Sequence, residues 1–486
     1  MPGPEVITDL LKKIPDASII DDPNRLSVYE TDGLTAKKQL PALVAIPDTL
    51  EALQRIVRTC DQYAIPLVAR GAGTGLSGGA MPHPRGVLVS LARFNRILDI
   101  DEENLVARIE PGVTNLAISE AVSEFGLFYA PDPSSQVACT IGGNVAENSG
   151  GVHCLKYGLT VHNVRGLKIL TAEGDIISVG GIEYDQQGFD VLALLHGSEG
   201  MLGLVVEVTV NLIAKPVSIA VLMAGFNSCA NAANAVGSLI GRGIIPAGLE
   251  LMDHLAIQAA EDFVKAGYPL DVEALLLCEL DGSEHDVHEQ IILVEQHLRK
   301  SGAVTITVAT DANERARLWQ GRKAAFPAVG RISPDYYCMD GTIPRKQLAQ
   351  VLNRITHLST QYGLRVANVF HAGDGNLHPL ILYDANVAGE LAAAEAFGAE
   401  ILEICVAAGG TITGEHGVGV EKIDQMCIQF SSDELTVFHR VKRAFDIKGI
   451  LNPGKAVPTL NRCAEFGAMH VHSAHANQIK SDMERF

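Results

Sequence analysis

A glycine-rich segment followed directly by two prolines constrains the fold of this chain more than any other feature. The pattern G-x-G-x-x-G occurs within Arg70-Gly71-Ala72-Gly73-Thr74-Gly75-Leu76-Ser77-Gly78. In a Rossmann fold this pattern opens a helix, whose N-terminus holds the pyrophosphate. Here Pro82 and Pro84 follow, and each proline disfavours helix at its own position and at the residue before it. We therefore predict a loop between two strands, whose backbone N–H groups bind an anion.

Two further glycine-rich segments are also candidates for lining a ligand. Residues 131–151 mix glycines and hydroxyl side chains with apolar residues, and Gly197–Gly203 runs directly into a predicted strand. Glycine permits close approach of the backbone to a ligand, and 47 of the 486 residues are glycine. We interpret all three segments as ligand-lining, although a mobile surface loop for the first and a linker for the second remain open alternatives.

The charge and the ends of the chain exclude several classes of protein. The net charge is −19, and no cluster of Lys and Arg provides a footprint for nucleic acid. The N-terminus lacks a basic and apolar leader, and the longest apolar run, Ile219 to Phe226, is too short to cross a bilayer. We expect a cytoplasmic protein, which could reach the cytoplasmic face of the inner membrane through partners.

The nine cysteines form no recognisable metal or redox motif. No pair has C-x-x-C spacing, which argues against a zinc ribbon, a thioredoxin-like site and a local iron–sulfur ligand run. We predict free thiols in a reducing cytosol. Near the C-terminus, His470, His472 and His475 are interpreted as part of a solvated tail, with a metal-binding tail as the alternative.

Hydrophobic patterning predicts an α+β protein with two main domains. A lead segment (1–38) precedes a domain over 39–216, a second domain over 217–457 and a tail over 458–486. In the first domain, short apolar runs alternate with helical segments, and residues 166–180 form a predicted hairpin. In the second, residues 217–310 alternate between strand and helix patterns, which is typical of helices layered on a sheet. The longest predicted helices are Thr49–Tyr63, Arg345–Tyr362 and Val387–Ala408.

Three histidines and one glutamate in two glycine-rich loops are the strongest candidates for chemistry. His371 and His378 flank Gly373, Asp374 and Gly375, whereas Glu415 and His416 lie in Thr413-Gly414-Glu415-His416-Gly417. Such a set suits divalent-metal binding or acid–base catalysis. A structural role is the alternative for each histidine. Arg322 is a candidate for binding a carboxylate through its planar fork, and a surface basic pair with Lys323 is its alternative.

The three glycine segments, in this order and spacing, resemble the FAD-binding (PCMH-type) domain of the vanillyl-alcohol oxidase superfamily. This resemblance implies a two-part FAD-binding domain with an α+β, ferredoxin-like substrate or cap domain. It implies non-covalent FAD, because the first loop lacks the histidine that some members attach to the flavin, and His83 lies beyond it. The cofactor-binding residues it implies are Arg70, Gly71, Ala72, Gly73, Thr74, Gly75, Leu76, Ser77, Gly78, Pro131, Ser134, Thr140, Gly142, Gly143, Asn144, Ser149, Gly150, Gly151, Tyr157, Gly158, Glu199, Gly200, Gly203, Val205 and Asn452.

The stretch from Phe326 to Arg345, with the histidine loops, resembles the FAD-linked 2-hydroxyacid dehydrogenase branch, closest to the glycolate oxidase type. In that branch the positions of His371, His378 and Glu415 bind a divalent metal (Zn, Mn or Fe). The position of His416 holds the general base, and Arg322, Asn376 and His416 correspond to substrate-binding positions. The resemblance also implies a heteromeric complex with a second flavin-domain subunit and an iron–sulfur subunit.

Two departures from the branch bear on the substrate. Members that act on larger diacids carry Thr where Phe326 stands and Lys where Cys338 stands, so this chain is expected to favour a small monoacid. The resemblance therefore implies hydride transfer from glycolate, and possibly from D-lactate, to FAD, giving the 2-oxo acid. The alternatives are a D-lactate dehydrogenase with a quinone or cytochrome acceptor and a flavin-binding assembly subunit without its own activity. A nicotinamide dehydrogenase is disfavoured by Pro82 and Pro84.

Overall fold

The structure is a computed structural model that describes residues 4–183 and 188–465. The predicted histidine tail therefore lies outside the described residues. The described chain divides into two compact units. Unit 1 comprises residues up to Ser149, Leu159–Ala214 and the part from Glu415 onward, whereas unit 2 comprises Gly150–Gly158 and Lys215–Gly414. Among the described helices, none has both the length and the apolar character needed to cross a membrane.

Eighteen strands are described. They are β1 (Ala17–Ile20), β2 (Leu43–Pro47), β3 (Leu67–Arg70), β4 (Val87–Ser90), β5 (Ile97–Asp101), β6 (Val106–Ile109), β7 (Leu127–Phe128), β8 (Val164–Leu170), β9 (Ile176–Gly180), β10 (Leu204–Asn211), β11 (Ile213–Ala214), β12 (Ser218–Phe226), β13 (Gly248–Asp253), β14 (Ala274–Gly282), β15 (Ala303–Ala309), β16 (Asp335–Cys338), β17 (Val366–His371) and β18 (Asn376–Tyr383).

Seventeen α-helices are described, with short 3-10 turns beside several of them. They are α1 (Pro4–Leu11), α2 (Pro23–Leu26), α3 (Leu50–Tyr63), α4 (Asn115–Ala121), α5 (Ile141–Glu147), α6 (Cys154–Tyr157), α7 (Val191–Leu195), α8 (Cys229–Ile240), α9 (His254–Val264), α10 (Glu284–Lys300), α11 (Ala312–Lys323), α12 (Ala325–Val329), α13 (Leu348–Tyr362), α14 (Glu390–Ala407), α15 (Met426–Gln429), α16 (Ser432–Phe445) and α17 (Leu460–Glu465). The three long helices predicted from the sequence are confirmed, with starts one to three residues later.

The first sheet of unit 1 carries the glycine loop. Its strand order is β1-β2-β4-β3, with β4 parallel to both β2 and β3. Residues 71–86 join β3 to β4 without a helix, which confirms the predicted strand-to-strand loop. Helix α3 covers the sheet with buried Leu53, Ile56 and Val57. It begins after Thr49, whose hydroxyl accepts a hydrogen bond from the Ala52 N–H.

The second sheet of unit 1 has the order β5-β6-β10-β8-β9 and is antiparallel throughout. Strands β8 and β9 pair from Leu170 opposite Ile176 to Gly166 opposite Gly180. This register confirms the predicted hairpin. Helix α5 packs against β10, and its buried Ile141 and Val145 belong to the core cluster beneath this sheet.

Unit 2 is built on a seven-stranded antiparallel sheet with the order β15-β12-β14-β13-β17-β18-β16. Helices α8, α9 and α10 pack on its central strands, and α13 packs on α8 and α14. The nine residues of β14 are nearly all buried, because a central strand with helices against it is removed from water. The predicted α+β class is confirmed.

The structure places the unit boundaries differently from the sequence prediction. Residues 415–457 were assigned to the second domain, but they belong to unit 1. Leu451 forms a parallel bridge with Leu67 of β3. In addition, the buried Lys442 ammonium donates to the Met201 and Leu451 carbonyls at 2.7 Å each. The chain therefore returns to the first sheet, a long-range pairing that local patterns do not reveal.

The prediction that all cysteines are free thiols is wrong. Cys427 and Cys463 form a disulfide with a Cα–Cα distance of 5.3 Å, and both residues are buried. The bond connects α15 to α17, and it is the only disulfide in the described part of the chain. The two cysteines are 36 residues apart, a separation that matches no spacing motif.

Candidate active site

The first glycine loop has a backbone that other residues could not follow. Gly73 and Gly78 have φ values of 71° and 77°, in the left-handed region. A Cβ on Gly71 would lie 2.2 Å from the Thr140 hydroxyl oxygen, and one on Gly78 would lie 2.5 Å from a methyl of Val420. The loop is thus packed closely against α5 and against the 417–421 segment, as a backbone cradle requires.

Buried polar groups without partners lie beside this loop. The hydroxyl oxygen of Thr140 and both amide atoms of Asn144 are buried, and within the described structure they have no hydrogen-bond partner. A buried polar atom without a hydrogen-bond partner costs free energy. These atoms therefore favour a bound ligand that supplies hydrogen-bond donors and acceptors. Together with the glycine backbone, they fit the phosphates and sugar of a dinucleotide such as FAD.

Gly71→Ala is expected to weaken FAD binding at least about tenfold, because the new methyl forces the loop away from Thr140 by overpacking. The ratio of visible flavin absorbance to protein absorbance in the purified protein measures this effect. Gly237→Ala, in helix α8, is the control, because the nearest heavy atom to a Cβ at that position would be 4.0 Å away. Equal flavin content in both variants would contradict the cradle.

Glu199 and Asn452, two predicted cofactor-binding residues, hold the loops together. The Glu199 carboxylate accepts hydrogen bonds from the Val418 and Gly419 N–H groups, each at 2.8 Å. The Asn452 side chain donates to the carbonyls of Gly79 and Glu199 at 2.9 and 2.6 Å. The structure therefore gives both side chains an architectural role, while the amide oxygen of Asn452 has no partner among the described residues.

The loop that carries His416 is docked on the glycine loop. The Ser77 carbonyl accepts hydrogen bonds from the N–H groups of Val420 and Glu421 at 3.0 and 3.1 Å. A Cβ on Gly419 would lie 2.1 Å from that same carbonyl oxygen. Within this segment, the His416 Nε2 and a Glu415 oxygen are 3.9 Å apart. The segment that directly follows the predicted base is thus anchored to the glycine loop.

Glu147, which sequence reasoning did not identify as a site residue, lies between these two loops. A Cβ on Gly79 or Gly417 would lie 2.7 or 2.0 Å from its carboxyl oxygens. Burial and the nearby charges of Glu199 and Asp32 raise the pKa of Glu147 well above its ordinary value, against the opposing charges of Lys422 and Lys455. Burial raises the pKa of Glu199 as well, but its two backbone hydrogen bonds oppose that rise, so a shared proton is expected on Glu147.

Lys455 is a buried cation that contacts the glycine loop in unit 1. Its ammonium donates to the Gly79 carbonyl at 2.9 Å and also to the Met81 carbonyl. Burial lowers the pKa of Lys455 to about 8, although the charges of Asp32 and Glu199 raise it. The end of the glycine loop, directly before Pro82, is therefore tied to the C-terminal part of unit 1.

The raised pKa of Glu147 makes stability depend on pH. Above the unfolded-state pKa of a glutamate, folded Glu147 retains a proton that the unfolded chain has lost, so unfolding becomes easier as pH rises. The thermal midpoint of the wild-type apoprotein is expected to fall relative to that of Glu147→Gln as the pH rises above about 5. Glu124→Gln, at an exposed position, is the control. Parallel midpoint curves for wild type and Glu147→Gln would contradict the buried proton.

In unit 2, Arg322 and His371 share one buried carboxylate. The Arg322 Nε donates to Glu250 Oε2 at 2.7 Å, and Arg322 Nη2 lies 2.6 Å from the same oxygen as an ion pair. His371 Nδ1 lies 2.8 Å from Glu250 Oε1. Burial alone raises the pKa of Glu250, but the charges and hydrogen bonds of His371 and Arg322 outweigh it and lower that pKa. Arg322 is therefore not part of a surface basic pair.

His378 lies beside His371 and is surrounded by the residues that were predicted to set specificity. The two imidazole centroids are 5.0 Å apart, edge to face. Phe326 packs edge-on against His378 at 6.2 Å. Ligand atoms of Cys338 and Asp340 each lie within 4.8 Å of an imidazole nitrogen of His378. The structure thus brings His371 and His378 into one part of unit 2. Phe326 and Cys338, which differ from the members acting on diacids, lie in the same part.

The donor set around His378 suits a divalent cation. Imidazole and carboxylate are ligands for Zn, Mn and Fe, and the ligand atoms of His378 and Asp340 are close enough to share an ion. The predicted ligand His371 is not in that group, and its Nδ1 faces Glu250. The buried Asn376 adds an amide oxygen without a partner among the described residues. Asp340 is a candidate metal ligand that sequence reasoning did not identify. Its carboxylate also accepts hydrogen bonds from Thr413 Oγ1 and the Gly414 N–H at 2.6 and 3.0 Å.

The remaining predicted cofactor residues divide between the two units. Gly150, Gly151, Tyr157 and Gly158 belong to unit 2, where the Tyr157 hydroxyl donates to Asp281. In unit 1, Pro131 and Ser134 precede α5, Gly142 and Gly143 lie on it, and Ser149 follows it. Gly200 and Gly203 precede β10, and Val205 lies on that strand. Their contact with FAD stays a prediction.

Comparison with known proteins agrees with this arrangement. Residues 41–180 match a family described as "FAD binding domain", and residues 215–456 match "FAD linked oxidases, C-terminal domain". The solved structure of p-cresol methylhydroxylase with substrate bound has a TM-score of 0.78 and covers 94% of this chain and 97% of its own, at 16% identity. It confirms the predicted PCMH-type fold. Fold and site together define the class, an FAD-linked oxidoreductase.

Full-length relatives narrow that class. The glycolate oxidase subunit GlcD of Escherichia coli (strain K12) is 59% identical over 99% of this chain and 96% of its own length. A D-lactate dehydrogenase of Anaerostipes hadrus is 31% identical over 93% of this chain and 97% of its own. The chain belongs to the family of FAD-linked oxidases that contains glycolate oxidase subunit GlcD, within the vanillyl-alcohol oxidase superfamily.

Proposed function

We propose that the protein oxidises glycolate to glyoxylate with non-covalent FAD bound at the glycine loops of unit 1. The observation that carries the proposal is the docking of the His416 loop on the glycine loop through Ser77 and Glu199. This docking supports a base held beside the cofactor cradle. The name of the E. coli relative supports glycolate as the substrate.

Each proposed site residue has one task. Arg322 binds the substrate carboxylate, Asn376 contacts the substrate, and His416 accepts the proton of the hydroxyl group. Bound FAD would supply the hydride acceptor for the α-hydrogen, so that the product is the 2-oxo acid. A divalent ion held by His371, His378 and Glu415 would polarise the hydroxyl and lower its pKa.

The surroundings of His378 support a small substrate. Phe326 fills space against its imidazole, and the buried Cys338 offers a thiol where an ammonium group would be needed to pair with a second carboxylate. A second carboxylate of a diacid would therefore lack a partner at this position, and its burial would be costly. Glycolate and D-lactate both satisfy this restriction.

The electrons are proposed to leave through partner subunits. The GlcD relatives are named as subunits, and this sequence has no local cysteine run for an iron–sulfur cluster. We infer a heteromeric complex in which a second flavin-domain subunit and an iron–sulfur subunit accept the electrons. The complex would be cytoplasmic, with membrane association supplied by the partners.

Turnover with an artificial dye acceptor tests this function. Purified protein is assayed with glycolate, D-lactate and L-lactate, and glyoxylate is quantified against dye reduced. Glycolate is expected to give the highest kcat/KM with one glyoxylate per two electrons. Preference for D-lactate would favour the dehydrogenase alternative, whereas bound FAD without turnover of any acid would favour an assembly subunit.

A further inference from the structure

Glu250 is a buried carboxylate to which the proposed mechanism assigns no role. It contacts the proposed carboxylate-binding arginine through one oxygen and a proposed metal ligand through the other. The side chains of Arg322, Glu250 and His371 are 1%, 1% and 4% exposed. A carboxylate that is so completely desolvated is retained only where its partners satisfy it.

The sheet register dictates this arrangement. Glu250 on β13 stands directly opposite His371 on β17, so their side chains lie on the same face of the antiparallel pair. Arg322 lies in the last turn of α11. That helix approaches closely because Gly321 packs against Tyr268, where a Cβ would lie 2.5 Å from the ring.

We propose that Glu250 is a positioning residue that fixes the guanidinium of Arg322 and the imidazole of His371 as one unit. Arg322 Nε donates to Glu250 and Nη2 lies 2.6 Å from the same oxygen, which fixes the plane of the guanidinium that binds the substrate carboxylate. Hydrogen bonding of Nδ1–H to Glu250 selects the His371 tautomer whose Nε2 lone pair binds a cation, an arrangement common among metal-binding histidines. The inference rests on the proposed function for the identity of these two ligands.

Glu250→Gln tests this role, because glutamine keeps the shape but replaces one acceptor oxygen with a donor. Two affinities are measured on the flavin-loaded protein: Zn²⁺ by competition with a chelator, and oxalate by its perturbation of the flavin spectrum. Both are expected to fall about 10- to 100-fold, the usual effect of removing a carboxylate behind a metal-binding histidine.

Glu279→Gln is the matched control. Glu279 is buried on the adjacent strand β14 and contacts His153 at 2.9 Å and Trp319 at 2.5 Å, but its variant is expected to keep both affinities. Glu250→Gln that loses only thermal stability, with both affinities unchanged, overturns the proposal. So does a wild-type protein that binds neither Zn²⁺ nor oxalate. Wild-type protein that binds both probes but is not reduced by glycolate would instead refute the substrate assignment.

Discussion

His416→Ala is expected to slow reduction of the bound flavin by glycolate about 10²- to 10⁴-fold, the usual contribution of a positioned general base. The FAD content is expected to stay unchanged, because the loop is anchored by the backbone N–H groups of Val418, Gly419 and Val420 rather than by the imidazole. Anaerobic rapid mixing with excess glycolate, followed through the visible flavin band, measures the rate.

His439→Ala is the control for removing a histidine from unit 1. His439 is partly buried and contacts the Pro458 carbonyl at 3.0 Å, so its loss is expected to leave the reduction rate unchanged. Full-rate flavin reduction by His416→Ala would remove His416 from the mechanism. Loss of FAD from that variant would show that its imidazole holds the loop instead.

Arg322→Lys is expected to lower kcat/KM for glycolate roughly thirtyfold to several thousandfold. This corresponds to a loss of about 2–5 kcal/mol in transition-state binding. Lysine keeps the charge but has no planar fork. Its single ammonium therefore cannot stay paired with Glu250 and also present a second nitrogen to a substrate carboxylate. The main effect is expected in KM, since the carboxylate is bound equally in the ground state and the transition state.

Arg317→Lys provides the comparison for this prediction. Arg317 lies on the same helix, α11, but its side chain is exposed, so the same change there is expected to leave steady-state kinetics unaltered. An Arg322→Lys enzyme with wild-type KM and kcat would show that Arg322 serves only the buried ion pair.

Local patterns predicted the parts of the fold that depend on local chemistry. The two prolines after the glycine loop fix a strand-to-strand connection, and the glycines between His371 and His378 interrupt any helix there, where the structure has the turn between β17 and β18. Both follow from backbone restrictions on a few adjacent residues. The family resemblance then identified the cofactor, which composition alone could not.

The features missed by sequence reasoning depend on long-range pairing. Glu250 lies in Gly248-Leu249-Glu250-Leu251, where alternation predicts an exposed polar face. It is buried because β13 is central, between β14 and β17. Likewise, Leu451 returns to β3 from a distant part of the chain, and Cys427 meets Cys463 across 36 residues. No rule based on residue spacing predicts these contacts between distant parts of the chain.

The central claim is that this chain itself transfers hydride from glycolate to bound FAD. Its most direct test is anaerobic titration of the purified chain with glycolate, D-lactate and L-lactate while the visible flavin band is recorded. Glycolate is expected to bleach the band at the lowest concentration, and L-lactate is expected to leave it intact. A band that persists with glycolate but bleaches with D-lactate would contradict the substrate, and a colourless protein would contradict the flavin site.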